Sequence, residues 1–259
     1  MAHLATILDL KRIIKHKPSY ISEEELYNIY NDGYMVVSDI NPIHYSYPVR
    51  YYDNLIIRYS IKDYAELAEM LKLFLDLFNE DLYIANIPEE KLELFKSLNF
   101  NPLFKLNTMI KKNYDIKNNI SNCYFVPYSN IYSKALIDID NSFFDDIFKL
   151  KPHHIIEMAK DPYIKITLCI FNNNCIGYSI YKLNSTLGFG YIIKIAIDKD
   201  YQNKGFGSML LMDIVNSFRT KGVLPILIDC LDSSTPFFEK NGFIPISSNY
   251  LLKYTYKLL

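Results

Sequence analysis

The second half of the chain combines apolar runs with one long segment of helical period. Residues 206–220 are apolar at every fourth position, namely Phe206, Leu210, Ile214 and Phe218. This spacing places the four side chains on one helix face, and Gly222 supplies a stop signal. Strands are predicted at 165–171, 175–183, 187–198 and 224–230, and again within 244–259 after a short helix at 234–241. This order predicts a mixed α/β sheet.

A polar segment at 111–122 (KKNYDIKNNISN) has no periodicity and predicts a linker. On either side of it the halves show a faint repeat, whose offset is fixed by matching Phe100 with Phe243. The same offset pairs Asn99 with Gly242, and a helix ending in a left-handed residue favours glycine and then asparagine there. We predict two related domains, 1–115 and 120–259. The alternative is chance agreement between two strand–helix–strand segments.

Composition narrows the functional classes. Half of the 259 residues are hydrophobic and 22% are charged, as in an ordinary globular protein. A formal net charge of -1 gives no reason to expect nucleic acid or a membrane as partner. The first 20 residues predict a short amphipathic helix, because Lys11, Arg12 and Lys15 interrupt any apolar stretch. The four cysteines show neither CxxC pairs nor metal-ligand spacing, so we predict no metal site and a reduced, cytoplasmic protein.

The segment 195–211 (IAIDKDYQNKGFGSMLL) joins a predicted strand directly to a predicted helix. Gly205 and Gly207 allow close backbone approach to a ligand, and the free N–H groups of a helix start favour phosphates. A Walker A loop is excluded because no Lys-Ser or Lys-Thr follows the second glycine. A GxGxxG motif is excluded because Leu210 stands at its third glycine. The pattern Q/R-x-x-G-x-G/A fits residues 202–207 fully.

With its surroundings, this loop resembles the GNAT superfamily of acetyl-CoA-dependent N-acetyltransferases. IAIDKDY resembles that family's central strand and turn, and FFEKNGF at 237–243 resembles its FYEKxGF segment. The resemblance is clear over 164–243, looser from Cys123 onward, and limited to the repeat in the N-terminal half. It implies an α/β GNAT fold, with two such domains in tandem. It also implies acetyl-CoA or another acyl-CoA as donor, a small-molecule or peptide amine as acceptor, and a monomer or homodimer.

The resemblance also assigns a cofactor-binding set. In this family, backbone N–H groups of the loop hold the pyrophosphate. The pantetheine arm pairs with the preceding strand, which splays away from its neighbour. The corresponding residues here are Ile195, Ala196, Ile197, Gln202, Asn203, Lys204, Gly205, Phe206, Gly207 and Ser208.

The family's usual catalytic groups are missing. Its strand glutamate corresponds to Tyr191, and its acidic tyrosine corresponds to Phe238, which has no proton to give. A tyrosine with an ordinary pKa near 10 is a poor base at neutral pH. Tyr191 and Asp229 are the predicted catalytic residues, with His153 and His154 as further candidates for the base. The alternative for each is a packing or solvated role.

The repeat places Lys-Asp-Tyr-Ala at 62–65 against residues 205–208. Both glycines are lost, and Asp63 adds a negative charge, so this copy is predicted not to bind pyrophosphate. The sequence thus predicts an acyl-CoA-dependent N-acyltransferase with one working domain and one degenerate domain. The rival prediction is a non-catalytic acyl-CoA-binding sensor or scaffold, which the missing catalytic groups favour.

Overall fold

The computed structural model describes residues 2–17, 21–116, 123–184 and 188–257. The chain divides into two compact units. Unit 1 comprises Met1–Lys105 with Asn249–Leu259, and unit 2 comprises Leu106–Ser248. Part of the predicted linker, 117–122, lies outside the described residues, and Lys111 at its start is the last residue of a strand.

The N-terminal half contains four helices and six strands among its described residues. In chain order they are β1 (Ala2–Leu4), α1 (Ile7–His16), α2 (Glu23–Asn31), β2 (Val36–Ser38), β3 (Tyr45–Tyr51), β4 (Asn54–Ser60), α3 (Tyr64–Leu77), β5 (Leu82–Ile87), α4 (Leu92–Lys96) and β6 (Phe100–Lys111). The strands β1 to β4 form an antiparallel series, and β5 is parallel to β4. The predicted amphipathic N-terminal helix is confirmed as α1, which Thr6 and Asp9 begin with a capping box.

The C-terminal half repeats this order of elements. They are β7 (Tyr124–Pro127), α5 (Ser133–Phe143), α6 (Pro152–Lys160), β8 (Ile164–Phe171), β9 (Asn174–Asn184), β10 (Phe189–Ile197), α7 (Phe206–Thr220), β11 (Ile226–Leu231), α8 (Thr235–Lys240) and β12 (Ile244–Tyr254). The strands β7 to β10 are antiparallel neighbours, and β11 is parallel to β10. The predicted mixed α/β sheet is therefore confirmed, although residues 244–254 form one strand rather than several.

The last strand of each half lies partly in the unit built by the other half. The end of β6 pairs with β11 in unit 2, and the end of β12 pairs with β5 in unit 1. The compact units therefore have other bounds than the halves 1–115 and 120–259, whose origin as two related domains stays a prediction.

One local prediction is confirmed by backbone angles, and a second pair of residues follows the same rule. Asn99 and Gly242, matched by the repeat, both have positive φ, at 62° and 82°. Asn172 and Asn173, with φ of 48° and 62°, form the tight turn between β8 and β9. In both places the residue type follows from the left-handed backbone that the turn or helix end requires.

The predicted apolar stripe of α7 is confirmed, since Phe206, Leu210, Ile214 and Phe218 are all buried. On the sheet, Ile192 and Ile226 belong to the same core cluster as Ile214 and Phe218. The glycine at position 190 lets helix and strand approach, since a Cβ there would lie 2.3 Å from the Phe218 ring. The apolar face of α7 thus fixes this helix against the strand that leads into it.

Candidate functional site

The parallel strands β10 and β11 separate after a short ladder. Among the described residues they pair over Gly190–Ile192 and Ile226–Ile228, whereas β10 continues to Ile197 and β11 to Leu231. On its other edge, β10 stays paired with β9 as far as Ile197. The expected splay is therefore confirmed. It leaves one edge of β10 facing a gap, where backbone groups require a partner.

A β-bulge in β10 lies where the strands begin to separate. Ile192 pairs with Tyr181 of β9 and Lys194 pairs with Ile180, so Ile193 is the additional residue. Before the bulge, Ile192 faces α7; after it, Lys194 contacts Asp140 of α5. The bulge therefore places Lys194 on the α5 side of the sheet, which is also the side that Tyr191 faces by strand alternation.

The loop after β10 leads into α7 without a side-chain cap on the first N–H groups of the helix. Gln202 bridges back to the strand, because its Nε2 donates to the carbonyl oxygen of Ile197 at 2.9 Å. Asn203 and Gly205 have positive φ, at 61° and 90°. Gly205 is the N-cap of α7 and provides no capping side chain. Since the first N–H groups of any helix have no acceptor within the helix, this end fits an anionic group.

The other loop residues agree with this geometry. The Lys204 ammonium donates to the Asp200 carbonyl at 2.7 Å and lies 5.4 Å from the centre of the Tyr201 ring, so it stays at the loop. Gly207 stands in the first turn of α7, where a Cβ would come within 3.2 Å of Phe237. The chain therefore brings the predicted set together, with 195–197 on the open edge of β10 and 202–208 at the helix start. Their role in binding an acyl-CoA stays a prediction.

The two predicted catalytic residues contact each other. The Tyr191 hydroxyl donates to Asp229 Oδ2 at 2.7 Å, and the Thr108 hydroxyl donates to Asp229 Oδ1 at 2.6 Å. Asp229 is exposed, and it lies just beyond the last residue of β11 that pairs with β10. Thr108 was missed by sequence reasoning because it comes from β6, the exchanged strand of the N-terminal half.

The remaining candidates differ in their surroundings. Phe238, at the position of the family's tyrosine, is 3% exposed and packs in the α7 core. His154 is buried in the first turn of α6, where its Nδ1 accepts from the backbone N–H of Lys151 at 3.1 Å. His153 is exposed on the same turn, with its ring centre 4.0 Å from that of His154. The contacts of His154 indicate a capping role at the start of α6.

A strand that splays from its parallel neighbour, followed by a glycine-bearing loop at an uncapped helix start, is an arrangement that fits an anionic group such as a pyrophosphate. Residues 128–243 match the family model of the acetyltransferase (GNAT) family. The match identifies a GNAT domain at residues 128–243 of the chain.

Solved structures of this family share the fold. A GCN5-related N-acetyltransferase from Sphaerobacter thermophilus is similar with a TM-score of 0.68 at 12% identity, over 100% of this chain and 96% of that chain. A tandem GNAT protein from the clavulanic acid biosynthesis pathway is similar with a TM-score of 0.62 at 7% identity, over 87% of this chain and 82% of that chain. The predicted tandem arrangement of GNAT-like domains is confirmed at the level of fold.

Curated relatives match shorter segments. A glucosamine 6-phosphate N-acetyltransferase from Trypanosoma brucei brucei is 37% identical over 54 residues, or 21% of this chain and 37% of that protein. A [ribosomal protein bS18]-alanine N-acetyltransferase from Haemophilus influenzae is 34% identical over 95 residues, or 35% of this chain and 63% of that protein. The chain thus spans less than two thirds of the length of either relative. Within the described residues, none of the helices has the length and apolarity needed to cross a membrane.

Proposed function

We propose that this chain is an acyl-CoA-dependent N-acyltransferase, with acetyl-CoA or another acyl-CoA as donor and a primary amine as acceptor. The observation that carries the proposal is the continuity of the open edge of β10 with the uncapped start of α7. The first provides backbone groups for an extended pantetheine arm, and the second provides N–H donors and a helix dipole for the pyrophosphate. The match of residues 128–243 to the GNAT family model supports the same function.

Asp229 is the proposed site for the acceptor amine. Its carboxylate is exposed beyond the point where β10 and β11 separate, and Tyr191 and Thr108 hold it by one hydrogen bond to each oxygen. Each oxygen keeps a further lone pair with which to accept from an amine N–H. Tyr191 and Thr108 thus fix the carboxylate, while Asp229 orients the amine and receives its proton.

With the amine and the thioester held next to each other, acyl transfer proceeds by direct attack. The neutral amine nitrogen attacks the thioester carbonyl carbon, so that a C–N bond forms and the C–S bond breaks. The proton lost by the nitrogen passes to Asp229 or to water, and the leaving thiolate takes a proton from water, because Phe238 cannot donate one. Holding two reactants in a productive geometry can supply much of the rate enhancement of such a transfer.

We further propose that only unit 2 binds the donor, and that unit 1 is a degenerate copy. In unit 1, β4 and β5 also pair over just three residues, Leu55–Ile57 with Leu82–Ile84. However, the Tyr59 hydroxyl donates to the carbonyl oxygens of Ala85 and Asn86, at 3.2 and 3.0 Å, and so bridges the two strands beyond their ladder. Asp63 caps the following helix through the N–H of Ala65, which places a carboxylate where a phosphate would need to bind.

A second candidate function is non-catalytic acyl-CoA binding, as in a sensor or scaffold. The buried phenylalanine at position 238 favours it, because the side chain offers no acid to the leaving thiolate. The two functions share the donor site and differ in turnover. The test must therefore measure binding and thiol release separately.

Calorimetric titration with acetyl-CoA provides the first test. Wild type should bind one acetyl-CoA per chain, and Gly205→Glu should not bind, because a carboxylate then occupies the helix start. Gly222→Glu is the matched control, since Gly222 ends the same helix with φ of 66° and open space around its Cβ position. Loss of binding in both variants, or in neither, contradicts the loop assignment.

A thiol-release assay with an amine panel then separates enzyme from sensor. Glucosamine 6-phosphate and a peptide beginning with alanine are suitable probes, because the matched relatives are named for such acceptors. Amine-dependent release of free coenzyme A supports the transferase. Tight donor binding without release across a broad panel of amines supports the sensor.

A further inference from the structure

The central strand of unit 2 carries a buried lysine that the proposed reaction does not use. Lys194 directly follows the bulge of β10 and is 4% exposed. Its ammonium lies 2.5 Å from Asp140 Oδ2, donates to the Phe148 carbonyl oxygen and sits 3.9 Å from the centre of the Phe144 ring. A buried ammonium is costly unless paired and hydrogen-bonded, so this arrangement is strongly specified.

Asp140 extends the network to two other parts of unit 2. It belongs to α5 and is fully buried. Its Oδ2 also accepts from the Tyr178 hydroxyl of β9, and its Oδ1 accepts from the backbone N–H of Leu150 at 2.6 Å. The carboxylate thus holds two strands and the connection between α5 and α6 together.

Together the two side chains bind both ends of that connection, residues 144–151. Lys194 contacts Phe144 and Phe148, and Asp140 holds Leu150. Polar contacts from Lys194 of β10 and from Asp140 of α5 therefore hold the connection.

The anchored connection lies on the side of the sheet where the proposed acceptor site is found. Gly190 and Ile192 face Phe218 of α7, so Tyr191 between them faces the opposite side, which is the α5 side. The bulge turns Lys194 to that same side, three positions after Tyr191. A shift of residues 144–151 would therefore occur on the same side of the sheet as the Tyr191–Asp229 pair.

We propose that Lys194 and Asp140 form a clasp, a buried ion pair that fixes residues 144–151 against the bulge of β10 and thereby positions the acceptor side of the site. Lys194 is a positioning residue in this account and touches neither substrate. The link to the acceptor rests on the proposed function, whereas the anchoring of residues 144–151 does not.

Hydrogen exchange measured by mass spectrometry tests the anchoring without any substrate. In Lys194→Met, amide exchange within 144–151 should accelerate by about tenfold or more, while exchange in the 198–208 loop stays unchanged. Lys182→Met is the matched control, because Lys182 lies on β9 and forms an exposed ion pair with Asp161 at 3.6 Å. Unchanged exchange of 144–151 in Lys194→Met overturns the clasp.

Kinetics test the positioning. With any amine that wild type acetylates in the panel, Lys194→Met should raise the acceptor KM by about tenfold and leave the acetyl-CoA Kd within about twofold. An unchanged acceptor KM, or equal losses of donor and acceptor binding, overturns the positioning role. If Lys194→Met does not fold, Asp140→Asn and Tyr178→Phe provide the same two readouts with milder changes.

If wild type turns over no amine, the proposed function fails while the exchange experiment still decides the anchoring.

Discussion

Units 1 and 2 contain the same junction, a strand that leaves its parallel neighbour and leads into a helix. The gap between the strands is open in unit 2 and is bridged by a side chain in unit 1. In unit 2, β10 carries a bulge and α7 begins at an uncapped glycine. In unit 1, β4 pairs with β3 without any shift of register, and α3 begins at a capping aspartate. The topology therefore provides the gap in both units, and local residues decide whether a ligand can use it.

The straight strand explains how unit 1 closes its gap. Leu55 and Ile57 face α3, and without a bulge Tyr59 faces the same way, packing with them and with Tyr64. Burial raises the pKa of the Tyr59 phenol, which therefore remains a hydrogen-bond donor to the strand across the gap. Because β4 has no bulge, the side chain of Tyr59 occupies the gap between β4 and β5. In unit 2 the corresponding gap stays open for a ligand.

The largest expected effect comes from giving unit 2 a residue of unit 1. Gly207→Tyr introduces the residue that the repeat places there, Tyr64, at a position where a Cβ already meets Phe237 at 3.2 Å. We expect acetyl-CoA affinity to fall by about 100-fold or more, equivalent to about 3 kcal/mol, measured by calorimetry. The reciprocal Tyr64→Gly should leave acetyl-CoA affinity unchanged. Wild-type affinity in Gly207→Tyr would show that the start of α7 is not the donor site.

The next effect separates donor binding from chemistry within unit 2. Asp229→Asn keeps the shape of the side chain and removes the proton acceptor, so kcat/KM for the amine should fall by about 100-fold with donor affinity retained. Asp232→Asn is the control, because Asp232 follows the same strand and accepts from Asn107. We expect it to cost less than about threefold. Equal losses in the two variants would remove Asp229 from its proposed role.

The loop between β10 and α7 was predictable because its signals are local. The glycines, the strand before them and the apolar stripe of α7 are contiguous in sequence, and so were the left-handed positions Asn99 and Gly242. The order of elements followed from periodicity for the same reason. Physical constraints that act within a few residues leave a readable pattern.

The surroundings of Asp229 and Lys194 were only partly predictable because their parts meet through tertiary structure. Thr108 reaches Asp229 through a strand exchange, and Asp140 meets Lys194 because one added residue at 193 turns the strand. A bulge changes which face of the sheet the following side chains occupy, and it has no sequence signature of its own. The sequence therefore contained no sign that Lys194 faces α5. Contacts between residues far apart in sequence can be predicted only when the fold is known.

A pH experiment measures the cost of burying the clasp. Burial lowers the pKa of Lys194 to about 8, against the opposing influence of Asp140, while the unfolded chain keeps the ordinary value of 10.5. Below pH 8 both states are protonated; between pH 8 and 10.5 the folded state binds fewer protons, so the contribution of Lys194 to stability rises with pH. The difference in unfolding free energy between wild type and Lys194→Met should shift by about 2 kcal/mol in favour of wild type from pH 7 to pH 10. A pH-independent difference in denaturant titrations would show that Lys194 is not buried as an ammonium.

The smallest effect tests the closure of unit 1. Tyr59→Phe keeps the ring and removes the hydroxyl that donates to Ala85 and Asn86, leaving those carbonyls to find water. We expect a loss of about 1 kcal/mol in unfolding free energy, no change in acetyl-CoA stoichiometry, and faster hydrogen exchange in β5. Tyr27→Phe, at a tyrosine that is 41% exposed, is the control and should change none of the three. A second acetyl-CoA bound by Tyr59→Phe would mean that the hydroxyl bridge alone closes the gap, and that Asp63 at the start of α3 does not exclude the pyrophosphate.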